Sequence, residues 1–274
     1  MTLSILLGAA VLQLVALSLA MTVAWGVQQR TGNSGWIDAV WTCAVGVVGV
    51  ASALWPLGEE TSARQILVAA LISAWAVRLG WHIASRSAAK SDDPRYAELV
   101  RSWGASARSQ MFVLLQKQAL VSLPLVFSVF IAAHHPATGL GWADAAAVLV
   151  FAVAVAGESL ADQQLRAFAR ASRGGDGICV DGLWRFSRHP NYFFEWVHWL
   201  AYPIIAIGPF DGSYPAGWLA LTAPLVMYWL LRYVSGVPPL EEHMVRKHGD
   251  RYRAYQASTA AFFPWWPKWG SKRD

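Results

Sequence analysis

Residues 111–133 read MFVLLQKQALVSLPLVFSVFIAA, a run whose single formal charge is Lys117. Coiled as a helix at about 1.5 Å per residue, it reaches about 35 Å, enough to cross a hydrocarbon layer of about 30 Å. Its apolar residues do not alternate with polar ones, so it does not encode a lipid-facing barrel strand. Six further runs of the same kind lie outward from it: Leu3–Val27, Ile37–Leu57, Ile66–Ala84, Trp142–Ala161, Pro190–Gly208 and Tyr214–Val234. With Met111–Ala133 they predict an all-α polytopic membrane protein of about seven transmembrane helices.

Composition agrees. Hydrophobic residues make up 55% of the 274, and charged residues only 14%, against about 25% in soluble domains. That excludes disorder, and two cysteines exclude a disulfide-stapled secreted scaffold. The first run has no basic start, and it is longer than the roughly 7–15 apolar residues of a signal peptide, so a retained helix is expected.

Lys and Arg gather in alternate linkers: Arg30; then Arg86, Lys90, Arg95, Arg101 and Arg108; then Arg166, Arg170, Arg173, Arg185 and Arg188; then the tail from Arg246 onward. The other side offers only Arg64. Positive charge stays on the cytosolic side, so the N-terminus is expected outside and the C-terminus in the cytosol. The net charge of +5 is explained by this asymmetry and by anionic headgroups. No nucleic-acid partner is expected, since no zinc-finger, helix-turn-helix or RNA-binding signature is present.

Ionisable groups inside spans cost a few kcal/mol each and call for a reason. Arg78, His82 and Arg86 recur every four residues along the third run. Glu158, Asp162 and Arg166 do so at the end of the fifth, and Asn191, Glu195 and His198 share a face at the start of the sixth. Asp38, Lys117 and Arg232 sit near the ends of other runs. Under the expected orientation all lie in the cytosolic half, which predicts a polar chamber open to that side. His and Cys lack metal-ligand spacing, so no metal is expected. Walker A, GxGxxG and GxSxG patterns are absent, so any nucleotide must be held by membrane helices and loops.

The segment Gly182-Leu183-Trp184-Arg185-Phe186-Ser187-Arg188-His189-Pro190-Asn191-Tyr192 opens the sixth run. Pro190 suits a first helical turn. Arg188 and His189 just ahead of it suggest an anion grip suited to phosphate.

This segment resembles the C-terminal half of the steroid 5-alpha-reductase superfamily, in its bacterial branch of unknown function. Asn33-Ser34-Gly35, Asp38, Trp41, the stretch Trp75–His82, Asp93-Pro94-Arg95-Tyr96, Gln118, Glu158, Asp162, Gln164 and Pro239-Leu240-Glu241-Glu242 extend the likeness over roughly residues 30–266. The resemblance implies one membrane domain over 1–274. Residues 1–27 would be a peripheral first helix, 30–266 the reductase core and 237–274 a cytosolic tail. It implies an NADPH-dependent reductase of an activated C=C bond in a hydrophobic substrate, a 3-oxo-4-ene steroid or other unsaturated lipid. Arg78, Arg86, Asp162, Arg188, His189, Asn191, Tyr192, Glu195 and Arg232 become cofactor contacts by position. Asp38, Tyr96 and Glu195 become catalytic candidates, the first two as donors to a developing oxyanion. The early-helix Gln and Glu with which family steroid reductases hold a ketone have no counterpart here. The Arg-His-Pro…Tyr helix and Glu-Glu tail are also similar to those of isoprenylcysteine carboxyl methyltransferases, so an S-adenosylmethionine-dependent lipid methyltransferase is the alternative. The branch implies a bacterial inner membrane, with the active site opening to the cytosol.

Overall fold

The structure, a computed structural model, describes residues 1–58, 60–89, 94–172, 177–208 and 212–267, with the side chains of residues 86, 89, 94 and 95 outside that description. The chain is 80% helical, with no strand among the described residues. Six helical stretches are long and apolar enough to cross a membrane: Leu3–Thr31, Gly35–Ala53, Ala63–Ser85, Tyr96–Ala133, Trp142–Ala171 and Pro215–His248. The protein is an all-α polytopic membrane protein.

The expected span Pro190–Gly208 is not one continuous helix. It is two short ones, Pro190–His198 and Ala201–Ile207. Pro203 supplies the reason. A proline inside a helix lacks the N–H that would bond one turn back, whereas in a first turn that N–H has no partner to lose. The chain therefore breaks at Trp199–Leu200 and restarts with Pro203 in the new first turn.

Two compact units divide the chain: Met1–Ala147 with Tyr202–Ala223, and Val148–Ala201 with Pro224–Asp274. Each is described by itself. The first holds α1 (Leu3–Thr31), α2 (Gly35–Ala53), α3 (Ala63–Ala89), α4 (Pro94–Trp103), α5 (Ala107–Ala133) and the start of α6 (Trp142–Ala171). Gly32, at φ 66°, ends α1 and returns its N–H to the Gln28 carbonyl at 2.9 Å, the left-handed stop that glycine allows. Helices α2 and α3 pack backbone to backbone: a Cβ at Gly46 would collide with Ala76, and one at Gly49 would sit 2.8 Å from Ile72. Small residues permit this in membranes, where close packing replaces the hydrophobic drive between helices. The outer face of α1 turns Leu7, Val11, Val15, Leu19 and Val23 outward, each more than half exposed. Such a stripe would be a liability in water and is the natural lipid face in a bilayer.

Local contacts define two ends of this unit. At one end, Asn33 Nδ2 donates to the Ser87 carbonyl (3.3 Å), Ser87 Oγ donates to the Gly35 carbonyl (2.9 Å), and the Trp25 indole N–H donates to the Arg108 carbonyl (3.1 Å). At the other, Gln65 Nε2 donates to the Trp55 carbonyl (3.1 Å). There the Arg64 guanidinium meets both oxygens of Asp144 at 2.8 and 2.9 Å, and the carbonyls of Ala137 and Gly139 at 2.7 and 2.6 Å. Arg64, the one cation expected on that side, is thus buried and neutralised by a two-pronged pair.

The second unit holds most of α6, then α7 (Pro190–His198), the end of α9 (Thr222–Trp229), a π-turn at Leu230–Val234, α10 (Val237–His248) and α11 (Asp250–Ser258); the intervening α8 (Ala201–Ile207) falls mostly in the first unit. A 3-10 turn at Gly182–Arg185 is fastened to α6, with the Trp184 indole donating to the Ala161 carbonyl (3.0 Å) and the Leu183 N–H donating to Gln164 Oε1 (2.9 Å). Gly157 lets α7 close on α6, since a Cβ there would collide with the Phe194 ring. The tail after α11 runs beside residues 186–188: the Arg188 N–H donates to the Ala260 carbonyl at 2.8 Å, and the Trp265 N–H to the Phe186 carbonyl at 2.9 Å.

Candidate functional site

The polar residues singled out above gather in one cluster in each unit. In the first, Asp38 lies in the opening turn of α2, Tyr96 in α4 and Gln118 in α5. The Tyr96 hydroxyl donates to Asp38 Oδ1 at 2.9 Å, and Gln118 Nε2 donates to the Tyr96 oxygen at 3.0 Å. Tyr96 is 5% exposed. Gln118 Oε1 is buried with no hydrogen-bond partner among the described residues. One turn further along α5, Ser122 accepts the Trp41 indole N–H at 2.7 Å and donates to the Gln118 carbonyl at 2.7 Å. Trp41 in turn meets Trp75 edge to face, centroids 6.2 Å apart. The result is a phenol held between a carboxylate and an amide beside a wall of two indoles. A phenol in that position can turn its proton toward an incoming acceptor while the amide and carboxylate hold its oxygen in place.

The second cluster surrounds the segment expected to grip phosphate, and there the cations are already engaged. Arg188 Nε donates to Glu241 Oε1 at 2.6 Å, and its Nη1 donates to the carbonyls of Gln256 (3.0 Å) and Thr259. Gln256 Nε2 donates to Glu241 Oε2 at 2.9 Å. His189 Nε2 lies 3.1 Å from Glu241 Oε1, and the imidazole stacks on Tyr192 at 5.4 Å. Arg188 is 8% exposed and His189 1%. Where an open grip was expected, the guanidinium commits its Nε and Nη1 to α10, α11 and the tail. Burial disfavours the imidazolium and holds the His189 pKa below its ordinary value, outweighing the opposing pull of Glu241. A carboxylate opposite Nε2 requires the proton there, which leaves Nδ1 as an acceptor. Nδ1 is buried and has no hydrogen-bond partner among the described residues.

The remaining expected residues fall as follows. On α7, Asn191 and Tyr192 are half-buried, and buried Glu195 accepts the Trp199 indole N–H at 3.1 Å. Asp162 is buried on α6. Arg232 lies half-buried in the π-turn, 5.1 Å over the Tyr233 ring. Arg78 is half-buried in α3, and the Arg86 side chain lies outside the described residues. The structure thus brings Asp38 to Tyr96, and Arg188 to His189 and Tyr192. Two partners had no role assigned from sequence, Gln118 and Glu241. Both lay in quoted motifs, but they sit 22 and 53 residues from the groups they serve, a distance that spacing rules do not reach.

A nicotinamide dinucleotide can be tested against the second unit's donor set. The carboxamide needs an acceptor and a donor, which Glu195 and Asn191 provide. Ribose hydroxyls suit Asp162 and the orphaned His189 Nδ1. Phosphates need cations, and with Arg188 engaged this falls to Arg232 and the exposed Arg170 and Arg185. The residues fit the group in kind.

Residues 24–259 match a family described as a protein of unknown function, DUF1295. An uncharacterized protein of Schizosaccharomyces pombe is 23% identical over 271 residues, covering 88% of this chain and 76% of the relative. No solved structure matches. With most of its length inside the match and an all-helical membrane architecture to go with it, the chain belongs to the DUF1295 family, a steroid 5-alpha-reductase-like group.

Proposed function

We propose that this protein is a membrane-embedded, NADPH-dependent reductase of an activated C=C bond in a hydrophobic substrate, a 3-oxo-4-ene steroid or another unsaturated lipid. The observation that carries the reading is the Asp38–Tyr96–Gln118 relay. Adding hydride beside a conjugated carbonyl drives negative charge onto the carbonyl oxygen, and a donor must meet it there. Tyr96 is that donor. It turns its proton from Asp38 to the oxyanion while Gln118 steadies the phenol. Asp38 then relays a proton from the aqueous side to restore the phenol. The half-buried Trp41 ring, backed by the fully buried Trp75, gives a flat apolar substrate a wall and keeps water from the relay.

When bound, NADPH supplies the hydride. Asn191 and Glu195 would hold its carboxamide, Asp162 a ribose, and Arg232, Arg185 and Arg170 its phosphates. The end of the first unit that carries Asp38 and Tyr96 is read as cytosolic. Arg30, Arg101 and Arg108 lie there, whereas Arg64 at the other end is cancelled by Asp144. On that reading the N-terminus is outside, and the Lys and Arg of the tail from Arg246 onward argue separately for a cytosolic C-terminus.

The test is ligand-induced stabilisation of the detergent-purified protein with NADPH, NADH and S-adenosylmethionine, followed by NADPH oxidation with enone lipids. A ligand at a hundred times its Kd adds about 2.7 kcal/mol. Stabilisation by NADPH, with turnover that Tyr96→Phe abolishes, is the expected result. Stabilisation by S-adenosylmethionine alone overturns it in favour of methyl transfer.

A further inference from the structure

We propose that the groove at the head of the seam between α1 and α5 binds one anionic phospholipid, its phosphate on Arg108 and an acyl chain on the apolar wall below. The groove is shallow and open, is lined by Trp25, Ala105, Arg108, Ser109, Phe112 and Val113, and offers about 400 Å³. It lies where the charged linker gives way to the apolar span of α5, the depth at which a bilayer changes from headgroup to hydrocarbon.

Arg108 is fixed there from two sides. Its guanidinium carbon sits 5.2 Å over the Trp25 ring, and the Trp25 indole N–H donates to the Arg108 carbonyl at 3.1 Å. Stacking uses the face of the guanidinium, while its N–H donors lie in the plane, so the edge is left for an acceptor. Among the described residues no carboxylate pairs with Arg108, in contrast to Arg101, which meets Glu98 at 2.8 Å. The groove therefore carries a positive charge that no carboxylate among the described residues offsets.

Below it the surface is hydrocarbon-like. Phe112 meets Trp25 edge to face at 5.6 Å. Val113, which lines the groove, and Leu120 two turns further along α5 are exposed. The seam is preformed, because Ser18 Oγ donates to Gln116 Oε1 at 2.6 Å and Gln116 Nε2 donates to Thr22 Oγ1 at 3.2 Å, tying the two helices together one turn deeper. An anion with a hydrocarbon tail matches both parts of this surface. A free phosphate matches only Arg108. The inference is independent of the reductase reading.

The test is native mass spectrometry of the full chain in detergent, with phosphatidylglycerol or phosphatidylcholine added. One phosphatidylglycerol retained in preference to phosphatidylcholine is expected, with retention falling about tenfold in Arg108→Gln, the loss of a charge-assisted contact, and little changed in Arg101→Gln. Equal retention in Arg108→Gln overturns the proposal. So do an equal fall in Arg101→Gln, which would mark a bulk charge effect, and displacement of the lipid by inorganic phosphate, which would mark a simple anion site. Should Arg108→Gln not fold, Ser109→Asp, which sets a negative charge in the groove, carries the same expectation and is overturned by unchanged retention.

Discussion

The relay in the first unit and the clamp in the second are built from the same kinds of groups, yet they use them differently. Around Arg188 every strong partner belongs to the chain itself: Glu241, Gln256 and the carbonyls of the tail. Around Tyr96 one partner leaves capacity over, since the Gln118 carbonyl oxygen is buried with no hydrogen-bond partner among the described residues. A buried ion pair closed on itself holds the fold, because taking away one partner strands the other in a poor solvent. A buried network with an acceptor in reserve waits for something else to complete it. The teaching is that in the most recognisable motif of this chain Arg188 has its Nε and Nη1 closed on the chain's own groups and only His189 Nδ1 is left open, while the less conspicuous Asp38, Tyr96 and Gln118 leave the Gln118 carbonyl oxygen open.

The sharpest way to break this contrast is Tyr96→Phe. It removes the proton and leaves the ring, so reductase turnover should fall about 10²–10⁴-fold while NADPH still stabilises the protein and the two lost hydrogen bonds cost only about 1–3 kcal/mol of stability. Loss of folding instead would make the relay a second clamp. Next is Arg188→Ala, expected to cost about 3–5 kcal/mol by stranding Glu241, read as unfolding in detergent with denaturant. A folded, stable variant with weakened dinucleotide binding would restore the phosphate-grip reading.

Acid offers a third test. His189 is held below its ordinary pKa, so the unfolded chain takes up its proton first as pH falls. Its contribution is intact above about pH 6.5 and is lost as pH drops from there toward the folded value. Stability should therefore decline below that point, and His189→Gln should flatten the decline. A smaller effect belongs to Trp41→Phe, which gives up the bond to Ser122 for about 0.5–1.5 kcal/mol and should raise KM more than it lowers Tm. Least of all, Glu98→Gln breaks an exposed pair with Arg101 and should leave the melting curve where it was, since such pairs contribute little.

Much of the architecture was legible in the sequence. Span length, apolar content and the pattern of Lys and Arg are local properties, and a bilayer reads them locally. The runs from Leu3, Ile37, Ile66, Met111 and Trp142 all appear as long helices. The run from Pro190 misled because hydropathy counts Pro203 as one more apolar residue, whereas the backbone counts it as a missing donor. The site was legible as residue types and not as pairings. Asp38 and Tyr96 were both nominated, yet nothing in their spacing of 58 residues announces a hydrogen bond.

The sequence by itself determined an all-helical membrane protein and a short roster of polar residues too expensive to bury without purpose. Only the tertiary structure decided which of them are spent on one another. Desolvation sets a cost for each residue where it stands. The partner that offsets that cost is chosen by the path of the chain, which brings Glu241 back across 53 residues to Arg188 and sets Gln118 beside Tyr96 with one oxygen to spare.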